Sequence, residues 1–253
     1  MSNMKTYYSN INNFKDSTQE MAGAGFEVRY ASFLERISDE RKEHLMRFKN
    51  EDDRLRSMAG TLILTYIINN IHKDDIKESS ILESNDAIFL LEGVKENDFS
   101  DLTNPIFPLN ITSEESGKPY LIDAPDIRFS ISHSGLYAAV VVTDSSECDR
   151  IGIDIQAKDR KDILKIAKRF YTEFENDLIA RAESDLEKED IFYQIWSVKE
   201  AFIKCNGKGL SYGISNFNAD IERELITDLE GNVLATLKKQ PCPDGYVCYV
   251  CTQ

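Results

Sequence analysis

The sequence predicts an α+β fold in which both halves of the chain contain helices and strands. In the first half of the 253 residues, apolar side chains recur at helical spacing through residues 52–69, and residues 129–132 and 137–143 are rich in strand-forming types. In the second half, residues 151–155 predict a short strand, and an amphipathic helix follows it. A chain of this length with 42% hydrophobic residues has enough apolar surface for a packed core.

The first half begins without a definite element, since residues 1–24 show no clear periodicity. Residues 28–33 predict a strand. Ser38 then predicts the N-terminus of a helix that continues to Phe48. Residues 72–112 mix charge with short apolar runs, and they predict a strand or short helices within a long excursion.

Around the centre of the chain, residues 133–135 predict a hairpin turn and residues 143–150 a linker between the halves. The charge run at 183–190 predicts a solvated segment, and residues 192–204 predict a helix that ends near Gly207. Between the linker and the charge run we expect one long helix, whose apolar face comprises Ile163, Ile166, Ala167, Phe170 and Phe174.

The composition argues against two classes of partner. Nonspecific nucleic-acid binding depends on neutralising phosphates, which a net charge of −14 opposes. No apolar run has the length of a membrane-spanning helix, and the polar N-terminus lacks the pattern of a secretory signal. We therefore expect a cytoplasmic protein that binds neither nucleic acid nor membrane.

The segment Ile151-Gly-Ile-Asp-Ile-Gln156 is the first candidate for chemistry. On a strand, its three isoleucines point to one face, and Gly152, Asp154 and Gln156 point to the other. An acid beside an amide presents oxygen ligands that suit a hard cation. The alternative is a strand end at which Asp154 caps the following helix.

The second candidate is the segment that begins at the only tryptophan. On a helix, Trp196, Glu200 and Lys204 share one stripe, with Lys199 and Lys208 expected nearby. A local basic pocket containing one carboxylate suits a metal-bridged pyrophosphate. The alternative is a surface pair of Glu200 with Lys204, worth about 0.3–0.5 kcal/mol.

The third candidate is the turn Ser132-His133-Ser134-Gly135, where short hydrogen-bond donors could bind a phosphate. The alternative is a histidine with only a structural role. The sequence contains no Gly-x-Ser-x-Gly elbow, HExxH pair or Walker loop, so hydrolase, zinc-protease and P-loop functions lack support.

Together these motifs resemble the Sfp-type 4'-phosphopantetheinyl transferases over about residues 37–210. The matching segments, in chain order, are ISDERKEHLMRF, the Arg56-x-x-x-Gly60 helix, GKPYL, RFSISHSG, GIDIQ and WSVKEAFIKCNGKGL. The resemblance implies a pseudo-twofold arrangement of two similar α/β halves, residues 1–146 and 147–253, with the active site between them.

The resemblance also implies an activity. The enzyme would transfer the 4'-phosphopantetheine moiety of coenzyme A to a serine hydroxyl of an apo acyl- or peptidyl-carrier protein and release 3',5'-ADP. It would use Mg²⁺, for which Mn²⁺ can substitute, and act as a monomer. The implied metal ligands are Asp154, Gln156 and Glu200, and the implied catalytic residues are Asp154, Glu200 and Lys204. The implied coenzyme A-binding residues are Arg41, His44, Ser57, Lys118, Ser132, His133 and Lys204.

The sequence departs from the family pattern at Gln156, where many relatives have a glutamate. An amide oxygen still coordinates Mg²⁺ but brings no negative charge, so we expect catalysis with weaker metal binding. Residues 88–108 resemble an insertion. The alternatives are a coenzyme A-binding protein that has lost catalysis, another Mg²⁺-dependent enzyme acting on a nucleotide pyrophosphate, and an α+β interaction domain.

Overall fold

Helices and strands are interspersed in the computed structural model, which describes residues 4–17, 23–70, 81–84, 87–90 and 108–253. The strands are β1 (Lys5–Asn10), β2 (Ile81–Ser84), β3 (Ala87–Leu90), β4 (Ile111–Ser113), β5 (Pro119–Leu121), β6 (Ile127–Ser134), β7 (Tyr137–Asp144), β8 (Ile151–Ala157), β9 (Phe217–Asp220), β10 (Leu225–Asp228), β11 (Val233–Lys239) and β12 (Tyr246–Thr252). The helices are α1 (Asn12–Ser17), α2 (Phe26–Arg29), α3 (Ala31–Leu34), α4 (Asp39–Met46), α5 (Glu51–Asn70), α6 (Ile163–Phe170), α7 (Glu173–Ala180) and α8 (Asp185–Asn206). The predicted α+β class is confirmed.

The strands form two five-stranded sheets and one small hairpin. The first sheet has the order β2-β3-β1-β7-β6, and the second has the order β8-β12-β11-β10-β9. In the first sheet β1 is parallel to β3 and antiparallel to β7. Strands β4 and β5 pair separately. Helix α5 packs against the first sheet and helix α8 against the second, so each half contains one sheet and one long helix.

The two sheets share a buried apolar layer. Alternate residues of β8 point into it, as the sequence predicts for the three isoleucines of that strand. The layer consists of Tyr8, Ala139, Val141, Ile151, Ile153, Ile155, Cys248 and Val250. The other face of β8 meets α8, and Gly152 lies against the backbone of that helix. Strand β8 is therefore the element that connects the two halves.

The N-terminal region differs from the prediction in two places. Residues 28–33 lie in helices α2 and α3 and at Tyr30 between them, so the predicted strand is wrong. Residues 5–10, for which no element was predicted, form the central strand β1 between β3 and β7. Strand β1 pairs with β7, more than 120 residues later in the chain. A local sequence pattern does not reveal such a pairing. The cap at Ser38 is confirmed, because its side chain accepts a hydrogen bond from the Arg41 amide.

The predicted excursion at 72–112 contains β2, β3 and the start of β4. Residues 88–90 at the start of the predicted insertion belong to β3, which pairs with β1 in the first sheet. The rest of the predicted insertion up to residue 107 lies outside the described residues. Whether this segment is an insertion, and whether the halves divide after residue 146, stay predictions. The pseudo-twofold relation between the halves also stays a prediction.

Two helical boundaries in the second half also differ. The single helix expected to include Phe174 is divided into α6 and α7, because Thr172 begins a new helix with a capping box to Glu175. The charge run at 183–190 is exposed or half-buried, as predicted, and from Asp185 it forms the first turns of α8, so this helix begins earlier than the predicted residue 192. The end of α8 at Gly207 is confirmed, where φ is 74°. No helix in the described ranges has both the length and the apolar character needed to cross a membrane.

Gly152 yields a first stability prediction. A Cβ atom here would lie 2.1 Å from the Ala201 carbonyl oxygen and 2.5 Å from the Cys205 nitrogen, which are both backbone atoms of α8. We expect Gly152→Ala to lower the free energy of unfolding by about 3 kcal/mol, because the helix must move away from β8. Urea unfolding would measure it, with Gly25→Ala as the control, since nothing lies within 4 Å of that position. Equal stability of the two variants would contradict the prediction.

Candidate active site at the junction of the two sheets

Strands β6 and β8 run side by side where the two sheets meet, and serine hydroxyls join them. Each hydroxyl of this serine ladder accepts a hydrogen bond from a backbone amide of β8. The three pairs are Ser130 with Ile153 at 3.1 Å, Ser132 with Ile155 at 3.2 Å, and Ser134 with Ala157 at 3.0 Å. The residue numbers rise together, so the strands run in the same direction. The ladder fixes the position of β8, and hence of its polar side chains, relative to the first half.

The centre of the site is a three-way contact of Ser132, Asp154 and Lys204. Lys204 Nζ donates to Asp154 Oδ1 at 2.8 Å and to Ser132 Oγ at 2.7 Å, and Ser132 Oγ donates to Asp154 Oδ1 at 2.9 Å. Asp154 is only 5% exposed, and its second oxygen, Oδ2, is buried without a hydrogen-bond partner. A buried carboxylate oxygen is costly to leave unpaired, so Oδ2 is suited to a cation that is not part of the protein.

Glu200 lies one helical turn before Lys204 on α8. Burial raises the pKa of Glu200, and the Asp154 carboxylate raises it further, whereas Lys204 and Arg160 oppose the rise. The two carboxylates are therefore close enough to repel each other in a partly desolvated site. A divalent cation would relieve that repulsion.

Gln156 follows Asp154 on the same face of β8. Its amide nitrogen Nε2 donates to Ser134 Oγ at 3.3 Å and to the Ala157 carbonyl at 3.0 Å. In the described residues, no three His, Cys, Asp or Glu side chains form a metal-binding group. The oxygen donors present are two carboxylates and one amide, and this set fits a hard cation that takes its remaining ligands from substrate and water.

Lys118 contacts the C-terminal end of α8 and the start of β8. Its Nζ donates to the Lys204 carbonyl at 2.6 Å and to the Ile151 carbonyl at 2.7 Å. Burial lowers its pKa. A cation at the C-terminus of a helix complements the free carbonyls there, so the contacts of Lys118 stabilise the end of α8. Its predicted contact with the nucleotide stays a prediction.

Arg41 and Ser57 come together on helices α4 and α5. The Arg41 guanidinium donates through Nη2 to Ser57 Oγ at 3.3 Å and to Thr61 Oγ1 at 3.0 Å. Its Nε is buried without a hydrogen-bond partner, and burial lowers the pKa of the group. In the described part of the chain, the side-chain hydrogen-bond partners of this guanidinium are hydroxyl groups, and such a guanidinium is suited to bind a phosphate. Thr61 was missed from the sequence, although it lies one helical turn after Ser57.

The two histidines expected to bind coenzyme A, His44 on α4 and His133 on β6, lie at the borders of this region. The His133 side chain is exposed to solvent, and partial desolvation, together with Lys204 and Arg56, lowers its pKa. The pKa of His44 is lowered by desolvation and by Arg41 and Arg47. Both shifts favour the neutral imidazole, which donates one hydrogen bond and accepts another.

Comparison with known proteins shows which family the chain resembles. The protein-family model described as the 4'-phosphopantetheinyl transferase superfamily matches residues 150–251. The transferase Sfp of Bacillus subtilis is 30% identical over 223 residues, which are 87% of this chain and 83% of the relative. The transferase ffp of Bacillus subtilis is 28% identical over 222 residues, which are 85% and 81% of the two chains.

The chain belongs to the 4'-phosphopantetheinyl transferase superfamily. The region matched by the family model contains the polar residues of β8 and α8, namely Asp154, Gln156, Glu200 and Lys204. A third relative, psf-1 of Bacillus pumilus, is 30% identical over 190 residues, which are 74% of this chain and 65% of the relative.

The structure of this transferase corrects the expected basic pocket. Lys199 is fully buried on a different face of α8 from Glu200 and pairs with Glu175 at 2.6 Å. Lys208 is exposed, and its Nζ lies 5.1 Å from the centre of the Tyr212 ring. The expectation that Lys199 joins Glu200 in one pocket is therefore wrong. Consecutive helix residues point in directions about 100° apart, so Lys199 and Glu200 cannot both face the site. Lys199 is the one turned away, because it is buried with Glu175.

Arg160 was not predicted from the sequence. Its guanidinium lies 4.3 Å from the centre of the Trp196 ring, and its backbone amide donates to the Tyr193 hydroxyl at 2.5 Å. These contacts hold the loop after β8 against α8, one turn from Glu200. The only sequence feature that pointed to Arg160 was a basic residue shortly after the GIDIQ segment. Such a residue is too common to predict a role in the site.

Proposed function

We propose that this transferase moves the 4'-phosphopantetheine moiety of coenzyme A to a serine hydroxyl of an apo carrier protein and releases 3',5'-ADP. The observation that carries the proposal is the convergence of Asp154, Glu200 and Lys204 where β6 and β8 meet. The superfamily membership supports the same reaction class.

A divalent cation, Mg²⁺ or in its place Mn²⁺, would be held by Asp154, Glu200 and the oxygen of Gln156. The unpaired Oδ2 of Asp154 supports this assignment. When bound, the cation neutralises negative charge on the diphosphate of coenzyme A.

The residues of the chain account for the remaining chemistry. Glu200, with its raised pKa, accepts the proton of the carrier serine directly or through a water molecule. The serine oxygen forms a bond to the β-phosphorus, and the bond from that phosphorus to the bridging oxygen breaks. The bridging oxygen leaves with 3',5'-ADP. Lys204 stabilises the charge on this leaving group, and it exchanges its contact with Asp154 for one with phosphate.

The nucleotide of coenzyme A would lie against the first half of the chain. Arg41 and Ser57 offer donors to a phosphate group, and His44 is on the same helix as Arg41. Ser132 and His133 on β6 would contact the nucleotide from the opposite side. Lys118 keeps one ammonium hydrogen beyond the two that reach backbone carbonyls, so it can support the end of α8 and still contact phosphate.

The carrier protein is recognised at short range. Carrier proteins are commonly acidic, and this chain has a net charge of −14, so long-range attraction is weak. We propose that a local apolar or basic patch beside the site docks the carrier, that the enzyme acts as a monomer, and that it acts in the cytoplasm. The alternative of a coenzyme A-binding protein without catalysis has no observation in its favour, because the three catalytic candidates are in contact or within one helical turn.

The reaction class is tested by product analysis. We expect 3',5'-ADP to form only when coenzyme A, an apo carrier protein and Mg²⁺ are all present. Chromatographic quantification of the nucleotide, with each component omitted in turn, would measure this. Release of 3',5'-ADP without a carrier would instead indicate an enzyme that hydrolyses a nucleotide pyrophosphate.

A further inference from the structure

Gln156 presents a problem of orientation that a glutamate does not. A carboxylate offers an oxygen at both ends, whereas an amide offers an oxygen at one end and two N–H donors at the other. Only the oxygen can bind a cation. A glutamine in a metal site must therefore be held with its nitrogen turned away from the metal.

The contacts of Gln156 establish the positions of the nitrogen and the oxygen of its side-chain amide. The Ala157 carbonyl oxygen lies 3.0 Å from Nε2, and because a carbonyl only accepts, a donor must face it. Ser134 Oγ lies 3.3 Å from the same nitrogen and accepts the second hydrogen. The oxygen Oε1 is thus directed away from Ser134, and no group in the described ranges donates a hydrogen bond to it.

Ser134 contacts the nitrogen end of this amide, because the Ala157 carbonyl beside it already requires a donor. The same hydroxyl accepts from the Ala157 backbone amide at 3.0 Å, so it is fixed next to β8. Ser130 makes the equivalent backbone contact, to Ile153, but it has no contact with Gln156. The two serines therefore share the structural role, and Ser134 alone also contacts the amide.

From this arrangement we propose that Ser134 is a positioning residue, which keeps the oxygen of Gln156 directed toward the cation. The proposal rests on the metal site of the proposed function. It explains how an amide at this position can supply an oxygen ligand to the cation. In this role Ser134 acts through Gln156.

The test is a binding measurement that needs no turnover. Mn²⁺ would be titrated into the protein with saturating coenzyme A and no carrier, and free Mn²⁺ would be quantified by electron paramagnetic resonance. We expect Ser134→Ala to raise the dissociation constant of Mn²⁺ about fivefold, because the amide then keeps only one of its two orienting hydrogen bonds, the one to the Ala157 carbonyl. Ser134→Thr keeps the hydroxyl and should restore the affinity to within twofold of the wild type.

Two controls separate orientation from general loosening of the junction. Ser130→Ala removes the equivalent ladder contact and should change Mn²⁺ affinity less than twofold. Gln156→Glu should bind Mn²⁺ more tightly than the wild type, and in that background Ser134→Ala should have less than a twofold effect, since either carboxylate oxygen can face the metal. An equal loss in Ser134→Ala and Ser130→Ala, or an undiminished loss in the glutamate background, would overturn the proposal.

The same titration distinguishes this inference from the function on which it rests. Coenzyme A alone binds some Mn²⁺ through its phosphates, and that amount is the reference. If the wild-type protein binds no Mn²⁺ beyond this reference, the metal site of the proposed function is wrong. If the wild type binds but the Ser134→Ala variant binds equally well, only the role of Ser134 is wrong.

Discussion

Replacement of Glu200 by glutamine is expected to lower kcat for phosphopantetheine transfer by about 10³-fold. Glutamine preserves the shape of the side chain but cannot accept the serine proton, and it removes one negative charge from the metal site. The raised pKa of Glu200 and its proximity to Asp154 are the reasons for assigning it both roles. Steady-state kinetics with a carrier protein would measure the effect.

The control for this substitution is Glu187→Gln on the same helix. Glu187 is exposed, and its carboxylate accepts a hydrogen bond from the backbone amide of Glu183, which a glutamine oxygen can also accept. We expect this variant to keep full activity. If Glu200→Gln retained more than a tenth of the wild-type kcat, the assignment of Glu200 as a proton acceptor and metal ligand would be wrong.

Replacement of Lys199 by methionine is expected to lower the free energy of unfolding by about 3–5 kcal/mol. Lys199 and Glu175 are both fully buried, and the ammonium also donates to the carbonyls of Ile214 and Phe217 at 2.8 Å. The substitution leaves the Glu175 carboxylate buried without its counter-charge. Urea unfolding monitored by Trp196 fluorescence would measure the loss.

Two further variants define the cause of that loss. Lys199→Met combined with Glu175→Gln removes both charges and keeps an acceptor for the Ala219 amide but not for the Thr172 amide, so it should recover part of the stability. Lys188→Met removes a lysine of α8 whose partner, Asp185, is exposed, and it should leave stability unchanged. A Lys199→Met variant as stable as the Lys188→Met variant would show that the buried pair does not hold α8 in place.

The parts of the fold that follow from local patterns were predictable from the sequence. Alternation along β8 assigned its isoleucines to a buried layer and placed Asp154 and Gln156 on the opposite face. The end of α8 at Gly207 followed from the conformational freedom of glycine. These features depend on chain neighbours, so a short segment contains the information.

The features that depend on distant partners were not predictable. Strand β1 is polar and irregular in sequence, and it is a strand because β3 and β7 pair with it on both sides. The pairing of Lys199 with Glu175 joins residues on different helices, and no spacing rule indicates it. In the same way, the sequence identified Ser132 and Asp154 separately, but only the packing of β6 against β8 shows their contact.

The central claim is that this junction of two sheets transfers phosphopantetheine to a carrier protein, and intact-protein mass spectrometry tests it most directly. An apo carrier protein would be incubated with the enzyme, coenzyme A and Mg²⁺, in parallel with reactions containing EDTA or the Glu200→Ala variant. We predict a mass increase of one phosphopantetheine group that disappears in both controls. No increase with several carrier proteins, from an enzyme that binds coenzyme A, would contradict the claim.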